Sequence, residues 1–156
     1  MMNDLSDLIR PEAVAEGLAA VSKKVLFQQL GQLAAAAYGI DAKGAADGLA
    51  EREKIGSTGF GGGVAIPHAR IAGIDAICGV VATLAKPIDL DAVDELPVDL
   101  VVALFSPTDA GANHLKALAR VSRALRDAQF VAKLRGAGST DAMYVLLARD
   151  EARDAA

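Results

Sequence analysis

Two long apolar runs, Ala76–Ala85 and Val98–Phe105, set the terms on which this chain can fold. Both are β-branched enough for strands, and neither alternates polar with apolar residues as a strand with one wet face would. Each therefore has to be covered on both sides, and the rest of the chain supplies helices to do it. Ser22 is placed to cap a helix running to about Tyr38, with Leu26, Leu30, Leu33, Ala34 and Ala37 at helical spacing and Gly39 as its stop. Asp41 caps a second helix through about Lys54, ending at Gly56. On it Ala45, Leu49 and Arg52 share one stripe, so an arginine lies on or beside the core-facing side. Asn113 is expected to cap a helix through Arg126 with Leu115, Leu118, Ser122 and Leu125 inward. Ala128–Arg135 and Thr140–Leu147 read as two more helices, and Leu5 to Leu8 as a turn stopped by Pro11. The pattern indicates one α/β layered domain, a mixed β-sheet flanked by helices, over residues 1–150, with a frayed tail over 151–156.

Composition narrows the function classes. The chain of 156 residues carries a net charge of −4 and has a pI near 5.1, which argues against nucleic acid as a partner. Its 53% hydrophobic content is largely alanine, 33 residues. No uncharged stretch reaches the roughly 20 apolar residues that span a bilayer, so membrane insertion is not expected. Cys78 is the only cysteine, inside an apolar run, so neither a disulfide nor a cysteine-rich zinc site is available. The N-terminus lacks the basic and apolar regions of a secretory signal, and a cytoplasmic location is expected.

Gly56-Ser57-Thr58-Gly59-Phe60-Gly61-Gly62-Gly63 holds five of the 15 glycines. Glycines let backbone N–H groups approach an anion, but no Lys-Ser/Thr pair follows these, and they come after a helix and before a short β-like run, Val64–His68. That order is the reverse of a nucleotide-binding loop, so neither ATP nor NAD is expected, and on glycine content alone a flexible connector fits. The two histidines, His68 and His114, taken singly fit ordinary half-buried positions as well as functional ones. With no second cysteine and no HExxH spacing, they do not make a zinc site.

The string Leu49-Ala50-Glu51-Arg52-Glu53-Lys54-Ile55-Gly56-Ser57-Thr58-Gly59, continued by Gly63-Val64-Ala65-Ile66-Pro67-His68-Ala69-Arg70, is more specific. It resembles the phosphorylation-site segment of enzyme IIA proteins of the phosphoenolpyruvate-dependent phosphotransferase system, fructose/mannitol superfamily, and most of all their nitrogen-regulatory branch. Pro87-Ile88-Asp89, Pro97-Val98-Asp99-Leu100 and Asn113-His114-Leu115 resemble family counterparts too, so the likeness covers nearly the whole chain. Many members carry Gly after the phosphorylated histidine, where this chain has Ala69. The resemblance implies that His68 is phosphorylated, that Arg52 and His114 complete the active site, and that no cofactor is needed. It implies an HPr-like phosphocarrier (NPr in the nitrogen branch) as donor. The output would be a regulatory protein target or, in the sugar branch, an enzyme IIB. A non-covalent regulatory module binding an anion through the glycine loop is the rival from another class.

These residue types suit phosphoryl transfer. A neutral imidazole, with an ordinary pKa near ~6.5, offers a lone pair at neutral pH. The charge spread over a moving phosphoryl group calls for fixed cations and donors. Arg52 brings a permanent charge and a planar fork. His114 could donate to the phosphoryl group or orient His68, and both roles stay open. Gly56, Ser57, Thr58, Gly59 and Phe60 would form the loop facing phosphate and partner, with Ser57 and Thr58 bonding the backbone rather than acting as nucleophiles. Phe60 is expected either on an apolar docking surface or folded inward. Lys116, Arg120 and Arg123 read as a solvated helix face.

Overall fold

The structure, a computed structural model, describes residues 4–148. The tail expected over residues 151–156 lies outside them. Helix α1 spans Lys23–Tyr38: the Ser22 hydroxyl accepts from the Val25 amide, and Gly39 closes it in the left-handed region at φ 72°. Helix α2 spans Ala42–Ile55, with the Asp41 carboxylate accepting from the Gly44 amide. The expected inner residues of α1 are buried except Leu33, which is partly so. The two helices cross in close contact at Gly31. A Cβ there would lie 2.5 Å from the Ala42 carbonyl oxygen and 3.3 Å from the Ala46 amide nitrogen. Gly31→Ala should gain up to ~1 kcal/mol of helix propensity yet lose about 1–3 kcal/mol by forcing backbone apart. The second effect wins, and a thermal melt should show a lower Tm; an unchanged or raised Tm would show that the helices separate at no cost.

The six strands among the described residues form one mixed sheet. Strand β5 (Cys78–Ile88) runs antiparallel to β6 (Val98–Pro107), with Val81 opposite Val102. Nearly every residue of β6 is buried, as covering on both faces requires. Strand β1 (Val14–Leu18) lies parallel to β5 on one side. On the other side of β6 lie β3 (Val64–Ala65) and β4 (His68–Ile71), both parallel to it, and β2 (Gly59–Gly61) pairs antiparallel with β3.

Several sequence expectations need correcting. The turn expected over Leu5–Leu8 is present, with the Leu8 and Ile9 amides donating to the Leu5 carbonyl, but Pro11 then opens a 3-10 turn, Pro11–Ala13, that leads into strand β1, which the sequence does not announce. Val64–His68 is not one strand. Pro67 has no N–H for a ladder, so the run breaks there and resumes at His68, whose ladder partner is Leu104. The glycine segment is only partly a connector, because β2 and β3 form a hairpin whose turn residues Gly62 and Gly63 take φ of 67° and 79°. Strand β5 continues through Pro87 to Ile88, shortening the acidic connection.

Helix α3 spans Ala112–Leu125 with Gly111, not Asn113, at its cap position. Its inner face is His114, Ala117, Val121, Ala124 and Leu125, while Leu115 is 64% exposed. The helix is thus turned by about one residue from the expected stripe: small alanines face the interior, and His114 bonds to β6. Helices α4 (Ala128–Arg135) and α5 (Thr140–Leu147) stand where expected. Arg120 is not merely solvated, since it grips both Asp7 carboxylate oxygens at 2.7 and 2.8 Å and the Asp4 carbonyl at 3.0 Å, fastening the N-terminal segment. Cys78 is buried, and burial raises its thiol pKa to about 11.

Candidate active site

His68 opens β4, directly behind the Pro67 break, and Arg52 sits in the last turn of α2. The His68 Nδ1 lies 2.9 Å from the Ile66 carbonyl oxygen. A carbonyl only accepts, so Nδ1 carries the proton and Nε2 keeps its lone pair. The Arg52 Nε–H donates to that Nε2 at 3.2 Å, and its Nη1 donates to the Gly56 carbonyl at 2.8 Å. One guanidinium thus marks the free nitrogen of His68 and closes the end of α2. Arg52 forms no ion pair with its helix neighbours. Glu51 instead pairs with Lys54 at 3.0 Å, and Glu53 turns inward.

His114 stands beside His68, the two ring centroids 5.4 Å apart and the planes 55° to each other. Its Nδ1 is 2.6 Å from the Ser106 hydroxyl, a pair buried between α3 and β6. Arg52, His68 and His114 therefore line one depression of about 760 Å³, together with Lys54, Ile55 and Arg70. A second depression shares Arg52 and His68 and is walled by Ser57, Thr58, Gly59, Phe60, Val93 and Leu118. Phe60 is 36% exposed, pointing outward rather than inward.

Electrostatically the site is poised for neutral imidazoles. Burial holds the His68 pKa below its usual 6.5, and the nearby Arg52 charge lowers it further, against the opposing pull of the Ile66 carbonyl and Glu53. His114 is held below 6.5 by burial first, then by Arg70 and His68. Cations therefore stand around two uncharged rings, an arrangement matched to an incoming anion.

Two features of the surroundings escaped the sequence reading. The buried Glu53 carboxylate accepts from the Thr58 hydroxyl at 2.7 Å and the Thr58 amide at 3.2 Å, and Lys23 reaches it at 3.3 Å. The Ser57 hydroxyl donates to the Leu90 carbonyl at 2.6 Å and accepts from the Gly59 amide at 3.0 Å. The loop between α2 and β2 is thereby held at both hydroxyls: Ser57 bonds backbone, as expected, whereas the Thr58 hydroxyl bonds the Glu53 side chain instead. Nothing in the spacing marked Glu53, since an acidic residue flanked by Arg52 and Lys54 reads as solvent-facing. Arg70 could have been found from strand periodicity, two residues beyond His68.

Comparison with known proteins gives the family and the fold. The family described as "Phosphoenolpyruvate-dependent sugar phosphotransferase system, EIIA 2" matches residues 7–150. A "Nitrogen regulatory protein" of Bradyrhizobium diazoefficiens is 44% identical over 144 residues, 92% of this chain and 94% of that one. Among solved structures, the nitrogen regulatory protein IIA-Ntr of Neisseria meningitidis superposes with a TM-score of 0.85 at 29% identity, covering 92% of this chain and 98% of its own. The IIA mannitol structure of Escherichia coli, at 18% identity, shares the fold with a TM-score of 0.74 over 89% of this chain and 98% of its own. No helix among the described residues is long and apolar enough to cross a membrane. The chain belongs to the EIIA 2 family of the phosphoenolpyruvate-dependent sugar phosphotransferase system.

Proposed function

We propose that this protein is a cytoplasmic, nitrogen-branch phosphoryl carrier that accepts a phosphoryl group on His68 Nε2 from an HPr-like phosphocarrier. The observation that carries the reading is the tautomer of His68: Nδ1–H is committed to the Ile66 carbonyl, leaving Nε2 unprotonated beside a permanent cation. In the transfer, the Nε2 lone pair forms the new P–N bond while the donor's P–N bond breaks and its electron pair stays with the donor nitrogen. No ATP, metal or strong base enters this step. Arg52 and the far edge of His114 are placed to stabilise the phosphoryl oxygens as charge spreads over them. Exposed apolar side chains border the site: Ile55 and Val93 are each 83% exposed, and Phe60 adds to them. They supply a surface on which a protein donor could dock. The regulatory assignment follows the relatives named nitrogen regulatory proteins.

The test is incubation with phosphorylated phosphocarrier. The chain should take up phosphate that is acid-labile and base-stable, and phosphorus–nitrogen NMR coupling should place it on Nε2 of one histidine. A label on Nδ1, or none, would overturn the reading, and tight unlabelled binding of phosphate would favour the non-covalent module. Adding a purified enzyme IIB with its sugar should drain the label slowly if at all; rapid transfer would move the protein to the sugar branch.

A further inference from the structure

The polar residue most deeply placed near the site is Ser106, with no exposed surface at all. It sits on β6 opposite Arg70 of β4, one strand away from His68, directly after a run, 100–105, built only of Leu, Val, Ala and Phe. A hydroxyl in such a place must donate to something, because a buried O–H without an acceptor costs about 1–3 kcal/mol. Its hydrogen-bond partner among the described residues is His114 Nδ1, at 2.6 Å. If Nδ1 held the proton, the Ser106 hydrogen would have no acceptor there. The arrangement that satisfies both groups has Ser106 donating and His114 Nδ1 accepting. A neutral imidazole that accepts at Nδ1 carries its hydrogen on Nε2. Nδ1 is turned into the interior, so the edge bearing Nε2–H is the one left for the depression shared with His68 and Arg52.

We infer that Ser106 is a positioning residue for phosphoryl transfer, holding His114 in the Nε2–H tautomer so that it presents a donor to the phosphoryl group. The opposite tautomer would turn a lone pair toward an anion, converting a stabilising contact into a repulsive one. This role rests on His68 being the acceptor. Ser106 itself touches neither donor nor phosphate, so its removal should change the rate of transfer and not the affinity for the phosphocarrier.

Nitrogen-15 NMR of the unaltered protein at neutral pH should show His114 with a protonated Nε2 and an unprotonated Nδ1. Ser106→Ala should mix the tautomers and slow labelling at saturating donor by about 10–100-fold, by analogy with metal-ligating histidines that lose the partner fixing their tautomer. Half-saturation by donor should stay within twofold. In a His114→Ala background, Ser106→Ala should cause no further loss, since the serine acts only through the histidine. A spectrum with Nδ1 protonated overturns the proposal even if Ser106→Ala fails to fold. Additive losses in the double variant, or a Ser106→Ala protein that labels at full rate, overturn it too. Failure of the unaltered protein to label overturns the carrier reading itself, and this role with it, independently of the tautomer.

Discussion

His68→Ala should accept no phosphate from a phosphorylated carrier protein while keeping its fold. The expectation of complete loss follows from chemistry: alanine offers no nucleophile, and the remaining candidates are poorly placed. His114 is buried, with Nδ1 engaged by Ser106, and Ser57 and Thr58 spend their hydroxyls on Leu90 and Glu53. Folding should survive because the ring is half-buried and its Nδ1 bond runs only two residues back, to Ile66. A net hydrogen bond is worth about 0.5–1.5 kcal/mol, small beside the 5–15 kcal/mol typical of a domain. The decisive measurement is phosphate incorporation with circular dichroism on the same sample; label retained by a folded His68→Ala protein would refute the assignment. The same assay on the unaltered protein reads the pH dependence. In the proposed role the neutral ring is the reactive form, and burial holds its pKa below 6.5, so the rate should be flat above that pH and fall only under it. Stability carries the matching sign. The unfolded chain takes up the His68 proton at higher pH than the native one, so stability should decline as pH drops below about 6.5. Replacement of His68 should flatten part of that slope.

How much of this was visible in the sequence depends on where the governing interaction lies. Helices α1 and α2 were legible because their determinants are local: Ser22 and Asp41 bond amides three residues ahead, and Gly39 takes a backbone conformation that other residues resist. The buried pair β5 and β6 was legible from its apolar length. Strand β1 was not, because Val14-Ala15-Glu16-Gly17-Leu18 is short and interrupted by Glu16 and Gly17, and it exists by pairing with β5 far along the chain. The facing of α3 failed for a related reason. Hydrophobicity alone favours Leu115 over His114 as the inward residue, yet a hydroxyl on β6 draws the histidine in and alanines permit close packing. The proximity of Arg52, His68 and His114 was anticipated from the motif, not from periodicity. The geometry adds which nitrogen of each ring is free, and that depends on two partners, the accepting Ile66 carbonyl and the donating Ser106 hydroxyl, that no sequence pattern reveals.

Arg52→Ala should lower the rate of phosphate uptake by about 10²–10³-fold, the usual cost of deleting one fixed donor to a charge that develops in the transition state. Two roles could produce such a loss, and they separate cleanly. The Nη1 bond to the Gly56 carbonyl closes the end of α2, and losing it should cost stability by about 1 kcal/mol, with little effect on the rate of the folded fraction. The Nε contact to His68 acts on chemistry, because that donor is the one positioned to pass from the free ring nitrogen to a phosphoryl oxygen as the P–N bond forms. Arg52→Lys discriminates further. An ammonium keeps the charge but is a point donor without the fork, so it cannot hold Gly56 and serve His68 at once. It should recover no more than about tenfold of the lost rate, since 1.4 kcal/mol of charge stabilisation is worth that factor. Titration by NMR supplies an independent check: Arg52 contributes to the lowered pKa of His68, so that pKa should rise in Arg52→Ala and rise less in Arg52→Lys. If Arg52→Ala melts earlier yet takes up phosphate at the unaltered rate, the guanidinium is a helix closure and nothing more. A rate loss with an unmoved His68 pKa would instead place its action wholly in the transition state, after the imidazole has met its donor.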